Sequence, residues 1–462
     1  MLVHIRQIND VLHDFIWGRG MLFIFLAVGI LYTLKTKAFQ FTGIRIWMGK
    51  TLGQALHGRK QKAKDPHSMS QFQSFCTALA ATLGTGNITG VASALLVGGP
   101  GAIFWMWVSA LLGMMTAYAE NVLGILYRYR NQEGKWVGGA MVYMERGLHC
   151  KWLAVVFSVC CLFASLGMGN MTQANAVASG LNQTFSIPSF MTGIVMMVMV
   201  GAVLIGGVKR IAAVTEKVVP LMSLCYLAGG VFVLLVHVQE IPKAFQMIFT
   251  EAFRVQAVGG GALGYGMRRA IQVGIARGVF SNEAGLGSAV MAHAAAEVDD
   301  PSVQGMWAML EVFLDTIVFC TLTALVILCS GVLDQQLALN NLAMGIENVD
   351  GTTLTGWAFA TAIPGGDRFL ALSMIVFAFA TIIGWAYFGE RTFAYLFGEK
   401  VSWVYKFLYI LVLMPGCVGA PGLIWDVADT FNGFMALPNL LALILLRKKV
   451  FAIKYFAKAN KT

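Results

Sequence analysis

The chain has 462 residues, 58% of them hydrophobic and only 12% charged, with a mean hydropathy of +0.71. A soluble domain carries about 25% charged residues, so this composition excludes one and indicates an integral membrane protein. The net charge of +10 does not indicate a nucleic-acid binder, because the basic residues gather in a few segments between apolar runs.

Hydropathy and helix breakers predict eleven spans, at 20–36, 72–98, 101–127, 152–179, 188–206, 213–237, 264–296, 305–331, 369–389, 402–417 and 420–446. The unbroken apolar run of the first, Met21 to Leu34, is shorter than the roughly 20 residues of a typical span, which leaves a signal peptide as an alternative. Asp10 and Asp14 before it, a basic flank after it and no obvious small-residue cleavage site favour a retained anchor with an outside N-terminus. Next, Phe41, Ile44, Met48, Leu52 and Leu56 recur at helical spacing with Arg45, Lys50, His57 and Arg59 elsewhere around the turn. This reads as an amphipathic helix on the inner membrane surface or as a solvated linker. Span two is interrupted by Gly84-Thr85-Gly86-Asn87-Ile88-Thr89-Gly90, and span seven by Gly278 to Gly287. The segment 332–366, with Gly351, Pro364, Gly365 and Gly366, reads as an outer loop with a short helix. Cysteines 76, 150, 160, 161, 225, 320, 329 and 417 lie mostly in apolar runs without metal-ligand spacing, and read as buried apolar residues.

Charge gives the topology. Loop 35–70 carries Lys35, Lys37, Arg45, Lys50, Arg59, Lys60, Lys62 and Lys64, and the tail carries Arg447, Lys448, Lys449, Lys454, Lys458 and Lys461. Basic segments stay cytoplasmic, and an odd number of spans puts both inside. Loop 128–151, with Arg128, Arg130, Lys135, Arg146 and Lys151, then also falls inside, and the uncharged turns near Pro100 and Gln183 fall outside. Loop 297–304 is the exception: it is placed inside with Glu297, Asp299 and Asp300 and no basic residue, although acids weigh little in this rule.

Glycine lowers helix propensity by about 1 kcal/mol relative to alanine, and in hydrocarbon a freed backbone group must be satisfied by protein, an ion or a wet cavity. Breaks in spans two and seven are five spans apart. The chain therefore divides into an N-terminal segment 1–70, two five-helix units at 71–237 and 238–447, and a basic tail 448–462. Because five is odd, the units are inverted copies, as in secondary transporters. The second half of span two begins near Asn87 and Ile88 and presents amides, which attract an anion such as a carboxylate. The first half of span seven ends near Val279 and Phe280 with free carbonyls, which attract a cation. Together they complement a zwitterionic amino acid. Close helix packing is the alternative use of both glycine clusters, but packing motifs space glycines four apart, whereas Thr85, Asn87 and Ser281-Asn282-Glu283 accompany these.

The segments ATLGTGNITGVA (81–92), GNMTQANA (169–176), GVFSNEAGLGSA (278–289) and FATIIGWAYFGE (379–390) resemble the alanine or glycine:cation symporters, over nearly the whole chain. The resemblance implies an all-α integral membrane protein of about 11 transmembrane helices, a bacterial leucine transporter-like inverted 5+5 repeat preceded by one extra helix. It implies a multi-pass protein of the bacterial plasma membrane carrying small neutral amino acids, mainly alanine or glycine, coupled to sodium and sometimes to protons. By the same resemblance, the Thr85 and Gly86 backbones hold the substrate carboxylate and the Asn87 side chain lies near sodium or that carboxylate. Phe280 closes over the substrate side chain, with its carbonyl near the ammonium, or serves as a core aromatic. Thr381 and Gly384 face the first broken helix across a sodium site completed by carbonyls around Leu83 and Gly384; a threonine bonded to its own helix is the alternative. Asn170 and Gln173, three apart on one face, read as pocket contacts or as interhelical hydrogen bonds.

Charges at membrane depth are costly and hence informative. They are Glu120, Arg277, Glu283, Glu311, Asp315, Asp426 and Asp429. Charge balance suggests that Arg277 pairs with one of the aspartates as part of a gate, and that Glu283 caps unwound amides or carries a coupled proton. His293 is expected to pack or to face water near the inner end of span seven. A membrane-embedded enzyme would need a nucleophile with a base or a metal cluster, and no HExxH or GxSxG occurs. A channel would show charge rings or filter repeats. The remaining rivals are proton-coupled or other-solute symporters of the same fold.

Overall fold

The computed structural model describes residues 2–57, 65, 68–254, 265–334, 351–419 and 421–453. Apart from a two-stranded hairpin pairing Tyr129–Arg130 with Trp136–Val137, its regular structure is helical. Eight helices among the described residues are long and apolar enough to cross a membrane, and a ninth candidate is a pair bent by 59°. This is a multi-pass membrane protein.

The chain begins with α1 (Leu2–Ile16) and α2 (Arg19–Lys35), followed by a run of short helical turns over 39–57. Helix α1 is a correction: the sequence reading took it only as a flank of the first span. In the 39–57 run, Phe41 and Ile44 of the expected apolar stripe are exposed, and contact with the bundle is made through Phe39, Trp47 and Thr51. Arg59, Lys60, Lys62 and Lys64 of the basic loop, and Lys454, Lys458 and Lys461 of the tail, lie outside the described residues.

The bent pair is α3 (Gln71–Thr82) and α4 (Thr89–Gly98). Helix α3 starts where it does because Ser70 and Gln73 form a reciprocal cap: Gln73 N–H donates to Ser70 Oγ at 3.1 Å and Ser70 N–H to Gln73 Oε1 at 3.0 Å. Then come α5 (Gly101–Tyr127), α6 (Ala140–Leu148), α7 (Lys151–Leu166), a wide turn at Gly167–Met171, α8 (Thr172–Phe185), α9 (Ser189–Ile205), α10 (Gly207–Val236) and α11 (Ile241–Ala252). The second half holds α12 (Tyr265–Asn282), α13 (Val290–Ala294), α14 (Pro301–Val312), a wide turn at Phe313–Cys320, α15 (Thr321–Cys329), α16 (Gly351–Ala360), α17 (Gly366–Phe397), α18 (Ser402–Val418) and α19 (Pro421–Phe451). Residues 335–350 of the expected outer loop are not described, and α16 is its helix.

The bundle is layered. Helix α3, the wide turns and the middle of α17 are enclosed, whereas α9, α10 and α18 each bury one face and expose Val198, Leu224 and Phe407 on the other. Such an apolar outer surface suits lipid. Of the cysteines, 76, 161, 320, 329 and 417 are buried as expected, 150 and 160 are partly buried, and Cys225 is exposed, against expectation.

The second break begins later than the sequence suggests. Helix α12 continues to Asn282, and the carbonyl of Val279 accepts the Glu283 N–H at 2.9 Å, so it is not free. Gly278 is a packing glycine: a Cβ there would lie 2.3 Å from Ser109 Oγ of α5. The chain turns instead at Glu283 (φ +55°), Gly285 (φ +95°) and Gly287 (φ +79°), all in the left-handed region where glycine carries no Cβ penalty.

The acidic loop 297–304 also finds its explanation. Asp300 caps α14 by accepting the Ser302 N–H at 2.9 Å. Arg128, at the end of α5, donates to the carbonyls of Ala294, Ala296 and Val298 at 2.9, 2.5 and 2.7 Å. Burial, with Arg130 beside it, pushes the Arg128 guanidinium down to about 10, so it is still a cation at neutral pH.

Candidate substrate and ion site between the two breaks

The first break, Leu83 to Ile88, is short and bridged by side chains. Asn87 Oδ1 accepts the Gly84 N–H at 3.0 Å, and the Ile88 N–H returns to Thr85 O at 3.2 Å. Among the described residues the amides of Gly86 and Asn87 donate to no backbone carbonyl. Across from them stands Phe280, whose ring would be 3.8 Å from a Cβ added at Gly86. The Phe280 carbonyl is open, because the Ala284 N–H is diverted to Asn282 Oδ1 at 3.1 Å. Of the two carbonyls expected to be free, that of Val279 is bonded and that of Phe280 accepts from no amide of the described residues.

Neighbouring helices close around the first break. Gln173 of α8 accepts from Thr85 Oγ1 at 3.2 Å and from its N–H at 3.4 Å. Thr381 Oγ1 of α17 lies 3.1 Å from Leu83 O and as near to its own helix at Phe377 O, 3.1 Å, so the back-bonded arrangement is within reach of the hydroxyl that also meets the first break. Gly84 must be glycine here: a Cβ would lie 2.7 Å from Thr381 Oγ1. Gly384, one turn further, lets α17 approach α3, since its Cβ would lie 2.8 Å from Ala81 N.

The structure thus brings together Leu83, Thr85, Gly86, Asn87, Gln173, Phe280 and Thr381, with Gly384 alongside. It does not bring Asn170 with them. Asn170 lies in the wide turn that offsets it from Gln173, and its Nδ2 donates to Tyr409 O of α18 at 2.7 Å. Asn87 sits in the site, but its amide is occupied: Nδ2 donates to Asp315 Oδ1 at 2.6 Å and to Ser281 Oγ at 3.1 Å.

Asp315 links the breaks. Besides Asn87 it accepts from Ser281 Oγ at 2.9 Å and Thr316 Oγ1 at 2.8 Å, while Thr316 receives Asn282 Nδ2 at 3.0 Å. The sequence marks Asp315 as a costly intramembrane acid but assigns it, with the other aspartates, to Arg277. That pairing does not occur. Among the described residues Arg277 has no ion pair and lies 5.7 Å from the Phe280 ring centroid. Asp429 instead pairs with His13 at 3.2 Å, and Asp426 with Arg6 at 3.8 Å, both on α1. Because α1 was not foreseen, neither partner was legible. Glu283 caps no unwound amide; it is buried and accepts from Ser288 Oγ, with Oε1 left without a partner. His293 neither faces water nor merely packs: it is enclosed and bonded to Glu311.

A cavity of about 1240 Å³ opens at the other end of α3, lined by Ser70, Gln73, Glu216, Lys217, Tyr387 and Lys406 among others. None of the residues of the two breaks lines it.

Comparison with known proteins identifies the family. The sodium:alanine symporter family matches residues 2–462. The sodium/alanine symporter AgcS of Methanococcus maripaludis is 41% identical over 449 residues, covering 96% of this chain and 94% of that protein. The amino-acid carrier protein AlsT of Bacillus subtilis is 34% identical over 467 residues, covering 99% and 93%. Among solved structures, MhsT in complex with L-phenylalanine shares the fold at a TM-score of 0.58 and 16% identity, covering 84% of this chain and 90% of that one. A sodium-coupled sialic acid symporter does so at a TM-score of 0.54 and 12% identity, covering 96% and 92%. With a match along the whole chain and two broken helices meeting in its middle, this protein belongs to the sodium:alanine symporter family.

Proposed function

We propose that this protein imports a small neutral amino acid, alanine or glycine, together with sodium by alternating access across the bacterial plasma membrane, with its N-terminus outside and its C-terminus in the cytoplasm. The two five-helix units, 71–237 and 238–447, act as inverted repeats that rock about the breaks. The observation that carries this reading is the juxtaposition of the free Gly86 and Asn87 amides with the open Phe280 carbonyl. A carboxylate fits the first and an ammonium the second, within a space that Phe280 keeps narrow. Sodium fits beside it, where Thr381 Oγ1 and Leu83 O already converge at 3.1 Å; hard cations take oxygen ligands. The cavity at the start of α3 serves as the inner vestibule.

The test is uptake of labelled alanine into proteoliposomes with and without an inward sodium gradient. Gradient-dependent, saturable uptake that unlabelled glycine inhibits is expected. No gradient-dependent uptake of alanine, glycine or serine would overturn the reading.

A further inference from the structure

Four acids lie fully enclosed near the breaks, and three are bonded only to neutral partners: Glu120 to Asn439, Glu283 to Ser288, and Asp315 to Asn87, Ser281 and Thr316. Glu311 differs. Its Oε2 stands 2.9 Å from Nε2 of His293, and both residues are buried. On the far side of the imidazole, Gln304 Nε2 is 2.5 Å from Nδ1 and 3.3 Å from Ser74 Oγ, while Gln304 Oε1 is buried with no partner among the described residues.

This geometry has two hydrogen-bonding states, one that leaves Gln304 Oε1 without a partner and one that gives it one. When Gln304 donates to Nδ1, the single imidazole proton must sit on Nε2 and point at Glu311, and the pair carries one negative charge. When one more proton arrives, Nδ1 also becomes a donor; rotating the Gln304 amide by half a turn then presents its orphaned Oε1 as the acceptor, and the pair is neutral. A buried carboxylate without a cation costs several kcal/mol, so the second state is well supported in this enclosure. No bond other than the N–H changes between the states.

Among the described residues the surroundings place no Lys or Arg in an ion pair with Glu311. Helix α3 contributes only Ser74, Thr77 and Thr82, the last 3.4 Å from Glu311 Oε1. Glu120 of α5 and Glu283 of the break are engaged as above, and Asp315 lies one turn on from Glu311. Arg128 is spent on the carbonyls after α13. Glu390 and Arg391 of α17 pair with each other at 3.1 Å. On the 39–57 run, Arg45 is exposed and Lys50 half-buried.

The placement matters as much as the chemistry. Glu311 reaches Thr82, the last residue of α3 before the first break; His293 belongs to α13, directly after the second; and Ser74 Oγ donates to Ala292 O at 2.8 Å. We infer that the Glu311–His293–Gln304 cluster is a proton-binding site that clamps the two inner half-helices together, so that a second cation, a proton, moves with the substrate. This rests on the transport reading given above. Separation of α3 from α13 would admit water to the pair and release the proton to the inside.

The test uses purified full-length protein in proteoliposomes containing a trapped pH-sensitive dye, with sodium equal on both sides and the membrane voltage clamped by potassium and valinomycin. Adding alanine outside is expected to acidify the lumen with wild-type protein. Glu311→Gln and His293→Gln are expected to abolish acidification and to remove the pH dependence of the sodium-gradient-driven alanine uptake that remains. Gln304→Leu, which keeps acid and base but removes the adaptor, is expected to reduce acidification at least about fivefold and to shift its pH profile. Its result stands even if the other two variants fail to fold. Sodium-driven alanine uptake by wild type without acidification, or undiminished acidification with Gln304→Leu, overturns the proton site and leaves the symporter reading intact. Absence of sodium-driven uptake with acidification retained overturns the sodium coupling instead.

Discussion

The two breaks do the same job by different means. The first spans Leu83 to Ile88, has no left-handed residue, and is held by side chains from elsewhere: Gln173, Thr381, Asp315 and its own Asn87. The second runs from Glu283 to Ala289 and turns through three left-handed residues, with a distant side chain on it, Asn439, whose Nδ2 donates to Gly285 O at 2.9 Å, so local φ angles set most of its course. A break held by distant side chains can change its partners when those helices move, whereas one held by local φ angles moves as a unit. The first therefore suits ligand and ion binding, and the second suits rigid transmission between α12 and α13.

The largest expected effect comes from removing what the breaks share. Asp315→Ala would leave Asn87, Ser281 and Thr316 without their common acceptor inside a sealed core. Hydrogen bonds to charged groups are worth about 1.5–3 kcal/mol each, and orphaned donors add to the loss. Sodium-driven alanine uptake is expected to fall more than about 100-fold, with a lower melting temperature in detergent. Uptake within a few fold of wild type would show that the breaks are independent.

Next in size is a substitution that separates the two kinds of break. Gly287→Ala meets a φ of +79° and places a Cβ 2.9 Å from Asn439 Cγ and 3.0 Å from Ala140 Cβ. Strain of this kind costs about 1–3 kcal/mol, read as a drop in melting temperature. Gly86→Ala has nothing nearer than the Phe280 ring at 3.8 Å. It is expected to leave the melting temperature unchanged and to weaken alanine uptake by filling substrate space. If both variants melt alike, the contrast between a ligand-shaped and a backbone-shaped break fails.

Much of this was legible in the sequence, and the exceptions have physical causes. Runs of apolar residues located most of the long helices, although α10 begins at Gly207 where 213 was expected and α17 runs on to Phe397 where 389 was expected, and the glycine clusters located both breaks. The onset of the second was misplaced because two kinds of glycine occur in one run. Gly278 serves close approach of α12 to α5, and Gly285 and Gly287 serve positive φ; sequence alone does not distinguish a missing side chain used for space from one used for conformation. Gln173 was legible as an amide in an apolar span, and Thr381 only through the family resemblance. The partners of Asp315, Asp429 and His293 were not, since charge balance points a buried acid to a cation whereas Asp315 is met by neutral donors, and α1 carries too mixed a composition to announce itself as a docked helix.

A smaller effect probes the ion side of the first break. Thr381→Val keeps the shape of the side chain but loses the hydroxyl that meets Leu83 O. Losing one oxygen ligand or one hydrogen bond is worth about 1 kcal/mol, so the sodium concentration for half-maximal uptake is expected to rise about five- to tenfold, with the alanine KM at saturating sodium little changed. A rise in the alanine KM alone would place the hydroxyl at the substrate instead.

The smallest effect falls on Asn170, which separates residues that hold a break from those that hold the bundle. Its amide nitrogen bonds the Tyr409 carbonyl, its Oδ1 has no partner, and the wide turn at Gly167–Met171 offsets it from Gln173. Asn170→Ala loses one neutral hydrogen bond but also removes a buried orphan oxygen, so the two terms offset and the net cost should be below about 1 kcal/mol. Alanine and sodium half-saturation values should both stay at wild-type levels, while Gln173→Ala, which frees Thr85, should raise the alanine KM by about tenfold. Uptake measured for the pair under identical gradients decides the matter: equal losses would mean that α8 meets the first break along a continuous face, and unequal losses that the wide turn has divided that face in two.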